Sequence, residues 1–273
     1  RLCKDAWKII VTSLFGSPME VSASFKIFWL FHVAKLLSGL CERFQVKSFM
    51  TCENYYLHAD AMLLIAPSLN ITTISYQYSN RSNIAPPQML TTSDIMLTFS
   101  PLFHNRLRTN DIKPGKFIDI GYIYDTSFES VRHRALEHRQ RLKKAGAQFI
   151  ICYFDENAQF DKYGLISVKS HCAEIKALLN IVCTDPTIGV IIKTQFQRNS
   201  SQQFDELSSI RDAAQKTGRF LELVHGKHRN IVFPAEAALS ADISIGHNIG
   251  ATAPLEAALI GSRCIMLNSY GFE

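Results

Sequence analysis

The chain has 273 residues, enough for one large domain or two of ordinary size, and its 47% hydrophobic and 19% charged content is that of a globular protein rather than a disordered one. Its net charge of +5 suits an anionic ligand or an anionic membrane surface; it is too small to argue for nucleic acid unaided, and no nucleic-acid partner is expected. The seven cysteines (Cys3, Cys41, Cys52, Cys152, Cys172, Cys183, Cys264) are odd in number, lack a C-x-x-C pair and lie mostly in apolar runs. They read as reduced core residues of a cytosolic protein, with neither a disulfide framework nor a zinc site.

The chain opens at Arg1 without a methionine and stops at Glu273 just after an expected strand, so both ends read as cut. Residues 20–44 read as a helix. Its most apolar part, residues 25–37, is interrupted by Lys26, His32 and Lys35, short of the roughly 20 apolar residues a membrane span needs. A buried helix is the expectation, with an interfacial helix resting on anionic lipid as the alternative. A strand at 46–50, a helix at 55–68 and a β-branched strand at 71–76 follow. Another strand spans 94–99, and a helix opens at Ser100-Pro101, where Ser caps and Pro takes the first turn. Residues 116–120 return as a strand ending at Gly121.

Residues 126–145 form a helix dense in Arg, Lys and His, either a solvated connector closed by Gly146 or a basic patch facing lipid phosphates. A second alternation follows. Residues 148–154 (QFIICYF) are a continuous apolar run of the buried parallel-strand type. Strands at 189–193, 219–224, 242–245 and 263–267 alternate with helices at 165–182, 203–216 and 234–241. Such alternation implies mainly parallel sheets covered on both faces. The expected organisation is an α/β chain of two Rossmann-like domains facing across a cleft: an acceptor-side domain at 1–125, a basic connecting helix at 126–146 and a nucleotide-binding domain at 147–273.

The stretch 246–261, GHNIGATAPLEAALIG, breaks a strand with a small polar turn and then opens an Ala/Leu-rich helix. Gly246 and Gly250 allow close backbone approach, His247 and Asn248 supply polar edges, and Thr252 reads as N-cap with Pro254 in the first turn. The free N–H groups and positive dipole end of that helix attract phosphate, with Ala251 beside them. Glu256 could accept both hydroxyls of a ribose, or be a plain surface residue. Lys193 ends the strand GVIIK, where a cation could neutralise a diphosphate; His225 ends the next strand as a ligand contact or a cap. In the first half, Glu53 follows a strand and is the candidate general base, or a helix N-terminal acid. Gln77, Tyr78 and Ser79 occupy the matching place on the next strand.

The run from Cys52-Glu53-Asn54 through Ala59-Asp60-Ala61-Met62-Leu63-Leu64 to Ile74-Ser75-Tyr76-Gln77-Tyr78-Ser79 resembles the Glu-Asn, helix, Tyr-Gln-His-Ser/Gly pattern of GT-B glycosyltransferases of the bacterial surface-carbohydrate (lipopolysaccharide or capsule) type. Ser93 to Thr98, Ile120-Gly121 and, in the second half, Ala241-Asp242 through Gly250-Ala251-Thr252 to Gly261 extend the likeness over roughly residues 49–267. The resemblance implies transfer of a sugar from a nucleotide-sugar donor to a glycan or lipid-linked glycan acceptor. It also implies a cytoplasmic location at the inner face of the membrane, no cofactor and no bound metal, in keeping with the lack of a D-x-D motif. Tyr78 stands where relatives carry His, which leaves an altered activity open. A sugar-nucleotide 2-epimerase, a polyol-phosphate transferase on the same fold and a non-catalytic relative are the alternatives.

Overall fold

In the computed structural model, residues 18–52, 57–78, 93–104, 114–155, 168–194, 207–223, 232–248 and 252–268 are described. The chain is α/β and divides into two compact units, Arg1–Tyr78 with Asn83–Tyr122 and Ser79–Ser82 with Ile123–Glu273.

The first unit holds α1 (Pro18–Phe44), β1 (Ser48–Thr51), α2 (Leu57–Leu69), β2 (Thr72–Tyr76), β3 (Ile95–Thr98) and β4 (Lys116–Asp119). Its four strands are all parallel in the order β1-β2-β3-β4. Asp94 fixes the β2–β3 register: its Oδ2 accepts both the backbone N–H and the hydroxyl of Thr73 at 2.8 Å. Ala34 and Cys41 of α1 pack on Met62, Ile65 and Ala66 of α2.

That packing uses one stripe of α1 and corrects the expectation of a buried helix. Phe25, Phe28, Trp29, Leu36 and Leu40 are exposed. Their spacing of three, four, eleven and fifteen residues from Phe25 puts them on one stripe of the helix. Large apolar residues occur around the whole circumference, and α2 can cover only one side. By length and composition the 24 residues Val21–Phe44 would also suffice to cross a membrane, because Lys26 and Lys35 still leave an 18-residue apolar window.

The second unit holds α3 (Phe128–Lys144), β5 (Phe149–Phe154), α4 (Val168–Thr184), β6 (Ile188–Lys193), α5 (Ser208–Lys216), β7 (Phe220–Leu223), α6 (Pro234–Leu239), β8 (Ile243–His247), α7 (Thr252–Leu259) and β9 (Cys264–Leu267). All five strands are parallel, in the order β7-β6-β5-β8-β9. Side chains alternate between the sheet faces with period two. Tyr153, Val190, Ile192 and Phe220 face Cys172, Ile175, Leu179 and Val182 of α4 and Ala214 of α5. Ile150, Cys152, Phe154, Ile191 and Leu221 face Leu142 of α3, Ala237 and Ala238 of α6 and Ala257 of α7.

The basic helix α3 belongs to this unit. Arg134 Nη2 and Nε donate to Glu236 at 2.7 and 3.1 Å, and His138 Nε2 lies 3.2 Å from the same carboxylate. Arg139 donates to Asp242, whose second oxygen accepts the Ile150 N–H at 2.8 Å. One face of the basic helix is therefore a docking face for α6 and for the loop into β8, while Arg132, His133, Arg141 and Lys144 point outward. Gly146 closes it at φ +102°, as expected.

Most strand and helix positions agree with the sequence reading; β8 is a useful exception, running on through Gly246 and His247. Gly246 is thus a strand residue and not part of a turn. Its missing side chain makes room for α7: a Cβ there would meet Pro254 Cγ at 2.7 Å and Phe154 Cδ2 at 3.2 Å. Of the cysteines, Cys41, Cys152 and Cys172 are buried as expected, whereas Cys52 and Cys183 are exposed.

Candidate functional site

In the second unit the chain passes from β5 outward through β6 to β7, then returns to the other side of β5 with β8 and β9. The strand order therefore reverses between β5 and β8. Ligands of open parallel sheets bind beyond the carboxyl ends of the strands at such a point.

Two groups of polar side chains collect at this edge, one under each face of the sheet. Tyr153 and His247 share the parity of Ile151 and Ile245 and so point to the α4 face. There they meet His171 and Glu174, three residues apart on one side of α4. Tyr153 Oη donates to Glu174 Oε2 at 2.5 Å and lies 3.2 Å from His171 Nδ1 and 3.3 Å from His247 Nε2. His247 Nε2 is 2.9 Å from Glu174 Oε2, and His171 Nε2 is 2.5 Å from Asp155 Oδ1. Burial alone would raise the Glu174 carboxyl, but the hydrogen bonds from His247 and Tyr153 and the nearby imidazoles hold it below its ordinary range.

Lys193 has the opposite parity and lies on the face covered by α6 and α7. It is 5% exposed, and its ammonium donates to the Thr194 carbonyl at 2.5 Å. Burial pushes its pKa down to about 8, against the opposing pull of Cys152, Glu256, Asp155 and Glu236. Glu256 is also buried, at 4% exposure, and its Oε2 accepts the Ala235 N–H at 3.1 Å. It joins α7 to the first turn of α6. The expected surface alternative for Glu256 is thereby corrected, since a carboxylate anchoring another helix start has left the surface.

Asn248 follows β8, its N–H donating to the Leu267 carbonyl at 3.1 Å, and Thr252 is the first residue of α7. Asn248 Oδ1 and Thr252 Oγ1 are both buried and find no hydrogen-bond partner among the described residues. Buried polar atoms in that condition are costly unless something else meets them. Thr252 begins α7, and the first N–H groups of any helix lack partners within the helix and attract an anion. Gly250, Ala251 and His225 lie outside the described residues, as do Glu53 and Ser79.

In the first unit, Gln77 is buried and its Oε1 accepts the Phe99 N–H at 2.8 Å, tying the ends of β2 and β3 together. Tyr78 beside it is exposed. Sequence reasoning missed a compact polar cluster at the same edge. Thr98 Oγ1 donates to Asp119 Oδ1 at 2.7 Å, and His104 Nε2 lies 2.8 Å from both groups while its ring stacks on Phe117. The available signal was a polar residue closing each of β3 and β4, with His104 early in the helix between them. For the Tyr153 cluster it was the His-x-x-Glu spacing of His171 and Glu174. His247, 73 positions beyond Glu174, could be joined to them only by the fold.

No family model matches the chain, and no curated protein does. Among solved structures it is similar to a protein from Leishmania major Friedlin provisionally assigned as an aspartate carbamoyltransferase, at 10% identity and a TM-score of 0.24, covering 90% of this chain and 79% of that one. A likeness so low carries no argument about fold or activity.

Proposed function

We propose that the chain is a GT-B glycosyltransferase of the bacterial surface-carbohydrate type, moving a sugar from a nucleotide-sugar donor to a glycan or lipid-linked glycan. The observation that carries the donor half of this reading is the pair of buried oxygens at Asn248 and Thr252 that find no partner among the described residues, beside the reversal in strand order. A nucleoside diphosphate laid across the start of α7 would take N–H groups for its phosphates and offer hydroxyls to those oxygens. Gly250 and Ala251 would allow its close approach, while Lys193 and His225 would add positive charge or donors from neighbouring strand ends. Glu256 supports the site from beneath by anchoring α6, and through that anchor it would affect nucleotide affinity. On the first unit, Glu53 is the proposed base, with Gln77, Tyr78 and Ser79 shaping the acceptor side.

Calorimetry of the full chain against a panel of nucleoside diphosphates tests the donor site directly. One nucleotide should bind, and Thr252→Val should weaken it by about 1–3 kcal/mol, the scale of a hydrogen bond to a charged or buried group. No binding of any nucleotide to the folded chain would favour a non-catalytic protein. Incubation with UDP-GlcNAc and no acceptor then separates the reactions, since conversion to the 2-epimer would defeat the transfer reading.

The exposed stripe of α1 is the proposed contact with the inner face of an anionic membrane. Lys26, Lys35 and Arg43 on the same helix supply the matching charge. Flotation should be stronger with phosphatidylglycerol than with phosphatidylcholine vesicles and fall in Trp29→Ser; equal flotation in all three cases would dismiss the contact.

A further inference from the structure

The Tyr153, His171, Glu174 and His247 cluster is separate from the donor residues proposed above, and its assignment does not depend on the transfer reading. Ligand-capable atoms of His171, Glu174 and His247 all lie within 4.8 Å of one another. Tyr153 Oη joins them at 2.5, 3.2 and 3.3 Å, and the edge from His247 to Glu174 is 2.9 Å. Four ligands around a tetrahedral zinc ion, at bonds of about 2.0–2.1 Å, stand about 3.3 Å apart. Three of the four measured edges are already within half an ångström of that value. The shortest is the one bridged by the tyrosine hydrogen, which an incoming cation would displace.

Asp155 adds an independent feature. His171 Nε2 lies 2.5 Å from Asp155 Oδ1, a close charge contact that is not aligned as a hydrogen bond along the ring N–H. Nδ1, the other ring nitrogen, faces the cluster at 3.2 Å from Tyr153 Oη. A carboxylate on the far nitrogen of an imidazole is the outer support that metal-binding histidines characteristically have. His171 and His247 are 0% and 2% exposed at their side chains, whereas Glu174 is 26% exposed, so the carboxylate is the side on which an ion could enter.

We propose that His171 Nδ1, Glu174 Oε2, His247 Nε2 and Tyr153 Oη bind one divalent transition-metal ion, with Asp155 orienting His171. Two imidazoles with two oxygens suit zinc or cobalt; calcium and magnesium favour all-oxygen shells. The ion would join α4 to the ends of β5 and β8; its binding would release the proton between Tyr153 and Glu174, and the hydrogen that His247 Nε2 directs at Glu174 would move to Nδ1 or leave, so that each imidazole binds in its neutral form.

The full chain, stripped with a chelator and titrated with Co2+ alone, should bind one equivalent with the intense visible absorption of a tetrahedral site, displaced by Zn2+. His247→Ala should weaken binding by about 100-fold or more and Asp155→Asn by about 10–100-fold, with far-UV circular dichroism reporting the fold of each. Absence of a visible band at stoichiometric Co2+, or unchanged affinity in His247→Ala, would overturn the site. If the variants do not fold, X-ray absorption of the zinc-loaded wild type decides. A shell of two imidazoles with oxygen supports the site, and a shell without imidazole refutes it.

Discussion

Arg134→Ala and Glu236→Gln remove opposite partners of one ion pair, and their costs should differ because the partners are buried unequally. Glu236 is 1% exposed at its side chain and Arg134 is 50% exposed. Its carboxyl is held below the ordinary range because hydrogen bonds and charge from His138 and Arg134 outweigh the effect of burial. In Glu236→Gln the guanidinium keeps an amide oxygen and has water on its outer side, so the loss should be about 1 kcal/mol. In Arg134→Ala the buried carboxylate loses both guanidinium hydrogen bonds and retains His138 as its neighbour. Breaking a buried pair costs about 3–5 kcal/mol, and water entering the space left by a half-exposed side chain reduces this to about 2–3 kcal/mol. The double variant should then be more stable than Arg134→Ala, since it no longer buries an uncompensated charge. In the wild type, the stabilisation from Glu236 is present above the unfolded carboxyl pKa and lost as pH falls through the lower folded value. In Arg134→Ala, burial would instead raise the folded pKa, and the penalty should shrink as the medium is acidified from neutrality. Urea unfolding of the four proteins, followed by circular dichroism, measures all of this. A double variant no more stable than Arg134→Ala, or a smaller cost for Arg134→Ala than for Glu236→Gln, would refute the reasoning.

Lys193 gives a second pH effect, of the same sense as that of Glu236 in the wild type but in the alkaline range. Its folded pKa of about 8 lies below its ordinary 10.5, so between these values the unfolded chain binds more protons and stability rises with pH. Lys193→Met should abolish that rise, worth at most about 3 kcal/mol across the window, in unfolding curves measured on both proteins. Gly246→Ala should destabilise the second unit by about 1–3 kcal/mol, because its Cβ would meet the Pro254 ring and Phe154. It should also weaken any nucleotide held at the start of α7; normal thermal stability would show that α7 yields easily. Asp94→Ala should cost about 1 kcal/mol, reduced by solvent exposure, through loss of the two Thr73 hydrogen bonds. Those hydrogen bonds hold the Asp94 carboxyl low, so its contribution is present above the ordinary carboxylate pKa and disappears in acid; an acid-unfolding midpoint unchanged by the substitution would count against it.

Local chemistry made much of the fold legible. A short apolar run such as FIICYF, rich in β-branched and aromatic residues, reads as a strand of a covered parallel sheet, and Gly146 at positive φ closes its helix for want of a Cβ. Helix starts and strand ends also drew attention to Lys193, Asn248, Thr252 and Glu256, all described residues of the same unit. Their pattern could not assign roles within it. Glu256 looked like a ligand contact or a surface residue because nothing near it in sequence reveals that the Ala235 N–H lies against it. Likewise, the Arg and His residues of α3 looked solvated until Glu236 and Asp242, about a hundred positions away, were brought to them. The strand order β7-β6-β5-β8-β9 has the same origin, as does the meeting of His171 and Glu174 with His247. Backbone periodicity, capping and turn formation act over a few residues, and so they are written in the chain. Which strand neighbours which, and which buried charge finds its partner, depends on closing loops of tens of residues around shared apolar faces. Those choices become visible only once the chain is packed.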